Sequence, residues 1–316
     1  MRSQLRTVAL TILCVFGVHE VSHAQKTLPS TSYLKPVCTI HTGTNVNCIA
    51  FTPDSSRIIS GNWDSLWDDY LDEKYNSEGR FSSWVIKTGK LQTRRKLKVP
   101  LLSVAYSPDG KWLATGYAGG LLRISDADTG RTVHQLHLET DGVKTDGIES
   151  IVFSPDGLTI ACSTFFSGDH SNAGPLYLVN TQTGRLRGEN YRGFFSGISS
   201  QSVWARNWFT TSVQSQQLVT HDNGISFSKP PQNKPTLHFN IEASNALATQ
   251  GRWLAFINSQ HSLCLWDLIS RKQVARIENI MDAEAYLAYP HLQFSADGRY
   301  LALGTDGIIQ VWRVLA

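Results

Sequence analysis

The sequence predicts an all-β fold assembled from a repeated four-stranded unit, and three observations carry that prediction. The first is composition. The 316 residues include 11 Pro, 24 Gly and nine Trp among short apolar runs, 41% are hydrophobic and 17% charged. Turn formers between short apolar runs favour strands, and helix-period stretches are hard to find. The second is a recurring motif: Phe51-Thr52-Pro53-Asp54, Tyr106-Ser107-Pro108-Asp109-Gly110, Phe153-Ser154-Pro155-Asp156-Gly157 and Phe294-Ser295-Ala296-Asp297-Gly298. Each lies between two alternating apolar segments, as a tight hairpin requires: Pro presets φ, Asp bonds nearby backbone and Gly accepts positive φ. The third is a landmark further along each unit: Trp84 to Lys90, Asp126 to Arg131, Asn180 to Arg185, and Trp266-Asp267-Leu268.

The spacing is regular. Asp109 and Asp156 are 47 positions apart, and Asp297 follows three such steps later, so two degenerate copies belong between them. Gly251-Arg252-Trp253-Leu254-Ala255 repeats Gly110-Lys111-Trp112-Leu113-Ala114, and Gln217-Leu218-Val219-Thr220 holds the same phase one unit earlier. A period in the forties with two hairpins per unit resembles the WD-repeat family, over residues 33 to 316. The resemblance implies a single β-propeller of about six four-stranded blades. The family's Trp-Asp pair is literal only at Trp266-Asp267. Trp84 and Trp312 keep the Trp, while Ser125, Val179 and Ser228 replace it. The family's buried Asp corresponds to Asp306, and His41 is the nearest candidate for the Gly-His pair that opens a unit. With those markers sparse, the blades are expected to rely on packing more than on the family's hydrogen-bond network.

In chain order the blades are expected at 45–98, 101–138, 148–188, 198–239, 241–278 and 290–315, with seven possible if 188–250 hides another unit. The last has three strands, and Leu34 to Ile40 resembles its missing fourth, so an N-terminal strand would close the propeller by pairing with the last blade. Closure removes open sheet edges.

Residues 1–24 read as a signal peptide, with Arg2 and Arg6 at its start, an apolar run from Val8 to Val18, and Ser22-His23-Ala24 as the cleavage site. The run is short for a bilayer span, so no stable membrane anchor is expected. Leu13 before Cys14 does not fit a lipidation signal. Residues 25–32 form a flexible segment, and the expected destination is periplasmic or secreted. The formal charge of +3 is too small for an obligate nucleic-acid binder. Cys38, Cys48, Cys162 and Cys264 have no metal-ligand spacing and read as small buried hydrophobes, with Cys38 and Cys48 the only pair near enough to consider as a bridge.

Connections between strands one and two, and three and four, open on one face and are short. The others hold the insertions, at 62–80, 138–148, 165–174 and 278–290. Insertions on one face of a repeat array mark a binding face. The longest supplies Trp63, Asp64, Trp67, Asp68, Asp69 and Tyr70, aromatics and acids suited to a protein interface or to self-packing; blade three supplies Phe165, Phe166, Asp169 and His170. The basic run Lys87, Lys90, Arg94, Arg95, Lys96 and Lys98 reads as the solvated outer edge of blade one. No catalytic motif, metal site or cofactor is implied. The expected function is an exported, monomeric scaffold for a protein or surface polymer. The alternative is a propeller hydrolase or lactonase-like enzyme with a metal at the channel mouth.

Overall fold

The computed structural model describes residues 33–63, 79–140, 143–165, 173–187, 217–221, 224–229, 232–239, 246–280 and 290–315. Every regular element among them is a strand. β1 (Leu34–His41) comes first and finds its partner near the other end of the chain. Blade one is β2 (Asn45–Phe51), β3 (Arg57–Trp63), β4 (Gly79–Val85) and β5 (Leu91–Leu97). Blade two is β6 (Leu101–Tyr106), β7 (Trp112–Tyr117), β8 (Leu121–Asp126) and β9 (Thr132–His137). A small hairpin of β10 (Glu139–Thr140) and β11 (Val143–Lys144) leads to blade three, β12 (Gly147–Phe153), β13 (Thr159–Phe165) and β14 (Ala173–Asn180). There a bridge from Val179 to Leu186 stands where a fourth strand begins.

Blade four contributes β15 (Gln217–His221), β16 (Gly224–Lys229) and β17 (Gln232–Phe239), which by phase are strands two to four. Blade five is β18 (Ala246–Gln250), β19 (Trp253–Ile257), β20 (Leu263–Asp267) and β21 (Lys272–Ile277). Blade six is β22 (His291–Phe294), β23 (Tyr300–Gly304), β24 (Ile308–Val314) and, outermost, β1. The N-terminal strand therefore completes the last blade. All the strand pairs are antiparallel.

The turn between strands one and two is built the same way in four blades. Ser107 Oγ donates to Asp109 Oδ1 at 2.7 Å, Lys111 N donates to the same carboxylate at 3.1 Å, and Trp112 N donates to Ser107 Oγ at 2.9 Å. Thr52 with Asp54, Ser154 with Asp156, and Ser295 with Asp297 repeat the arrangement. The fifth position is left-handed, occupied by Gly110, Gly157 and Gly298 (φ 75, 70 and 69). The motif is conformational: it fixes the hairpin using the backbone groups that a turn leaves unpaired.

Burial falls from the second strand outward. β19 is buried along its whole length, whereas β9 is exposed or half-buried and β5 is exposed at all but its last position. The core consists of layers between neighbouring blades. One joins blades five and six and includes Leu34, Trp253 and Trp312; another joins six and one and includes Ile40, Val46 and Trp84. Two more join blades one to two and two to three. The blades pack closely enough that a Cβ on Gly116 of blade two would lie 2.8 Å from Ile148 Cβ of blade three.

β1 serves two layers because of a β-bulge. Its register slips between Pro36 and Cys38, which reverses the alternation, so Leu34 packs towards blade five and Ile40 towards blade one. Pro36 is compatible with an outer strand, whose free edge needs no donor.

Three marker residues differ from expectation. Asp306 is exposed, carried on the β23–β24 turn with Gly307 at φ 70, so it is not the family's buried carboxylate. His41 ends β1 at the surface. Trp266 is half-buried, while Trp84 and Trp312 are only 4% exposed, so of these three third-strand tryptophans the latter two are the buried ones. The bulge opposite Trp266 lies on β21, where Val274 is the extra residue between the partners of Leu265 and Trp266. Cys48, Cys162 and Cys264 are buried free thiols and Cys38 is a half-buried one. Burial pushes Cys48 up to about 12 and Cys264 up to about 11.

Candidate functional site

The two classes of connection separate as the strand bounds imply. Strands one and two, and three and four, are joined by turns of a few residues in each complete blade. On the opposite face β3 ends at Trp63 and β4 begins at Gly79, β13 ends at Phe165 and β14 begins at Ala173, and β21 ends at Ile277 and β22 begins at His291.

Trp63 and Phe165 are the last residues of the second strands of blades one and three, so each stands where a long connection leaves its sheet. Trp63 pairs through its backbone with Asn45 and Gly79. Phe165 is half-buried and its ring leaves no room for a side chain at Gly147, where a Cβ would approach it to 2.7 Å and Leu102 of blade two to 2.5 Å. Asp64, Trp67, Asp68, Asp69, Tyr70, Phe166, Asp169 and His170 lie outside the described residues, as does the leader.

The root of the longest insertion is held by a hydrogen-bond relay. Trp84 Nε1 donates to Ser60 Oγ at 2.9 Å, Ser60 Oγ donates to Asn62 Oδ1 at 2.9 Å, and Asn62 Nδ2 donates to the carbonyls of Thr44 and Asn45 at 3.2 and 3.1 Å. Ser60 and Asn62 are buried. The sequence leads one to expect blades that rely on packing more than on hydrogen bonds, and blade one nevertheless retains a polar chain from its third strand to the connection entering β2. Such a chain is stabilising because each buried group has a partner. Blade five holds a different lock: Arg252 clasps Asp267 through Nε at 3.0 Å and Nη2 at 2.5 Å, and its guanidinium lies 4.8 Å from the Trp253 ring centroid. The Arg252 hydrogen bonds hold the Asp267 carboxyl well below the usual range.

The first strands of blades one, two and three each carry a bulge, at Asn47, Leu102 and Glu149. Each bulged residue stands seven positions before the motif Asp of its blade, a constant offset that a search for repeats could have exposed. Glu149 keeps some solvent exposure, yet protein surrounds most of its carboxyl, and burial pushes that group up to about 8. Among the described residues no three His, Cys, Asp or Glu side chains converge as a metal site would require.

Comparison with known proteins agrees with this architecture. The family model described as "WD domain, G-beta repeat" matches residues 34–67 and 290–313, and the model for the anaphase-promoting complex subunit 4 WD40 domain matches residues 79–156. The first match runs across β1, β2 and β3, and so takes in the junction between blades six and one. A curated relative, "Ribosome biogenesis protein ERB1" of Debaryomyces hansenii, is 36% identical over 100 residues, covering 31% of this chain and only 12% of that protein. The crystal structure of the Myceliophteria thermophila Cps50 (Swd1) β-propeller domain superposes with a TM-score of 0.54 at 14% identity, covering 89% of this chain and 100% of that one. At that identity the superposition speaks for the fold alone. Repeated turns, four-stranded sheets, a blade shared between distant strands and the family-model matches lead to one conclusion: the chain has a β-propeller fold, and the matched segments are similar to WD-type repeats.

Proposed function

We propose that this protein is exported behind its leader and acts as a scaffold, holding a protein partner on the face formed by its long connections. The observation that supports the reading is the asymmetry of the connections: short and uniform turns on one face, and long connections on the other in blade one, in blade three and before blade six. Function in repeat proteins resides in such variable loops, since the turns that define the fold have no freedom to vary. Trp63, Trp67 and Tyr70 supply aromatic anchors, and Asp64, Asp68 and Asp69 suit a basic partner.

The test separates binding from folding. Trp63→Ala and Trp67→Ala are expected to leave stability within about 1 kcal/mol, and at least one is expected to weaken capture of the partner by about 1–2 kcal/mol. A photocrosslinker at position 67 should trap the partner, and one at position 88, on the short-turn face, should not. Markedly earlier unfolding of both variants in denaturant would show that the loop packs on its own blade. Export is tested by fractionation and by sequencing the mature N-terminus, expected at Gln25.

A further inference from the structure

The short-turn face is not featureless. Five large hydrophobic side chains stand out as exposed among the described residues: Leu91 (44%), Val133 (45%), Leu158 (42%), Leu186 (46%) and Ile269 (63%). All five lie on or just after the short turns. Leu91, Val133, Leu186 and Ile269 follow the third strands of blades one, two, three and five, and Leu158 closes a strand one-to-two turn. Leaving aliphatic side chains in water is costly, and their grouping on one face is not what scattered surface residues would give.

Cations accompany them. Lys90 precedes Leu91, Arg131 stands two before Val133, Arg185 precedes Leu186, and Arg271 and Lys272 follow Ile269. None of these five cations forms an ion pair among the described residues. Three carboxylates of the same turns are paired with cations, Asp109 with Lys111, Asp267 with Arg252 and Asp297 with Arg299. Asp54, Asp126, Asp128 and Asp156 keep their charge, and the five cations above outnumber them.

One cation occupies a strained position. Gly89, Gly130 and Gly184 take the left-handed conformation in the strand three-to-four turns of blades one, two and three (φ 67, 69 and 65), and in blade five the corresponding residue is Arg271 (φ 56). A side chain there costs free energy that glycine avoids, and such strain is found where a side chain has a task.

The geometry points to the short-turn face as a docking surface for an anionic lipid bilayer. The cationic and aliphatic pairs belong to turns of four separate blades, so an extended peptide would reach one or two of them, whereas a plane meets all of them together. Cations held at anionic headgroups, with aliphatic side chains at the edge of the acyl layer, describe interfacial binding without a span. In this orientation the strand ends from which the long connections leave lie on the side away from the bilayer. The inference is independent of the proposed scaffold role, which concerns the opposite face.

Flotation of the full chain with vesicles tests it. Binding is expected to phosphatidylcholine vesicles containing phosphatidylserine, to weaken with added salt, and to be absent with phosphatidylcholine alone. Removing one cation should lower partitioning about five-fold. Arg271→Gly is the decisive variant, because relief of the left-handed strain should raise its unfolding midpoint while its vesicle binding falls. Ile269→Ser should weaken binding further, and Arg95→Gln, on the outer edge of β5, should leave it largely unchanged. The proposal is overturned if phosphatidylserine confers no binding at low salt, or if Arg95→Gln matters as much as Arg271→Gly. Binding to polyglutamate as strong as to vesicles, and indifferent to Ile269→Ser, would also overturn it, in favour of an acidic protein partner.

Discussion

Truncating the two buried side chains of β1 tests whether the shared blade holds the molecule together. Leu34 has no exposed surface and Ile40 is 1% exposed, and they anchor the layers on opposite sides of blade six. Each change to Ala should cost about 2–5 kcal/mol, from lost burial and from the cavity left behind. The two sites are roughly 20 Å apart along the strand and share no layer, so the losses should nearly add, to about 4–10 kcal/mol. A domain of this kind has about 5–15 kcal/mol in total, so the double variant should sit at or beyond the edge of unfolding. Equilibrium denaturation by guanidinium, followed by tryptophan fluorescence, reads the single variants, and light scattering reports whether the double variant exposes an unpaired β24 edge and self-associates. A double variant that stays monomeric with an unchanged midpoint would refute the reasoning, since it would mean that β1 contributes nothing to closure.

The relay in blade one predicts coupling: in a cycle of Trp84→Phe and Ser60→Ala, the two losses should fall short of adding by about 1 kcal/mol, the worth of the shared hydrogen bond, and strictly additive losses would remove the relay. Trp84→Ala should destabilise by about 3–5 kcal/mol and Trp266→Ala by clearly less, as denaturation of the two variants would show, because Trp84 is buried and Trp266 only half so. Asp297, against the effect of burial, is held down to about 2 by the hydroxyl of Ser295 and by Arg299, so its contribution is present above pH 4 and is lost as pH falls towards 2. The stability difference between wild type and Asp297→Asn should shrink over that window. Glu149 has the opposite sign: burial raises its carboxyl to about 8, so stability falls as pH rises through that value. Glu149→Gln should therefore gain on wild type at pH 9 and lose that gain below pH 4, as thermal melts at the two values would show.

The blades were legible because their determinants are local. Ser107-Pro108-Asp109-Gly110 satisfies its own turn with atoms no more than five residues apart, so the sequence pattern and the hydrogen bonds are the same information. The pairing of β1 with β24 was legible too, since a blade with three strands needs a fourth and a spare strand lay at Leu34 to Ile40. Markers that depend on distant contacts were harder to read. Asn62 takes a place in the relay that no motif announced, and its partners are the carbonyls of Thr44 and Asn45, which only the folded chain brings close. Asp306 matches by position but stands in water, since its turn carries it outward. Of the candidate site, Trp63 and Phe165, read from the sequence as insertion residues, are the last residues of β3 and β13, because each strand runs one or two residues further than its repeat pattern. The cationic and aliphatic pairing on the other face went unread because each pair looks like an ordinary turn until the blades are set side by side.

Pairing the first strand with the last also has a kinetic consequence. During synthesis Leu34 to His41 emerges before any of the blades, while Ile308 to Val314, its partner, emerges only after the other five. Until then β1 is an unpaired apolar strand, and blade one lacks the neighbour that buries Val46 and Ile49. Such a long-range contact makes the final step slow and leaves an exposed edge open to misassembly. Once it forms, Leu315 N reaches Tyr33 O at 2.9 Å and the two termini of the propeller lie side by side. A circular permutant joined at that point and opened between blades one and two, after β5 and before β6, would have neighbouring strands where the natural chain has distant ones and would divide no blade, and should refold faster at similar stability.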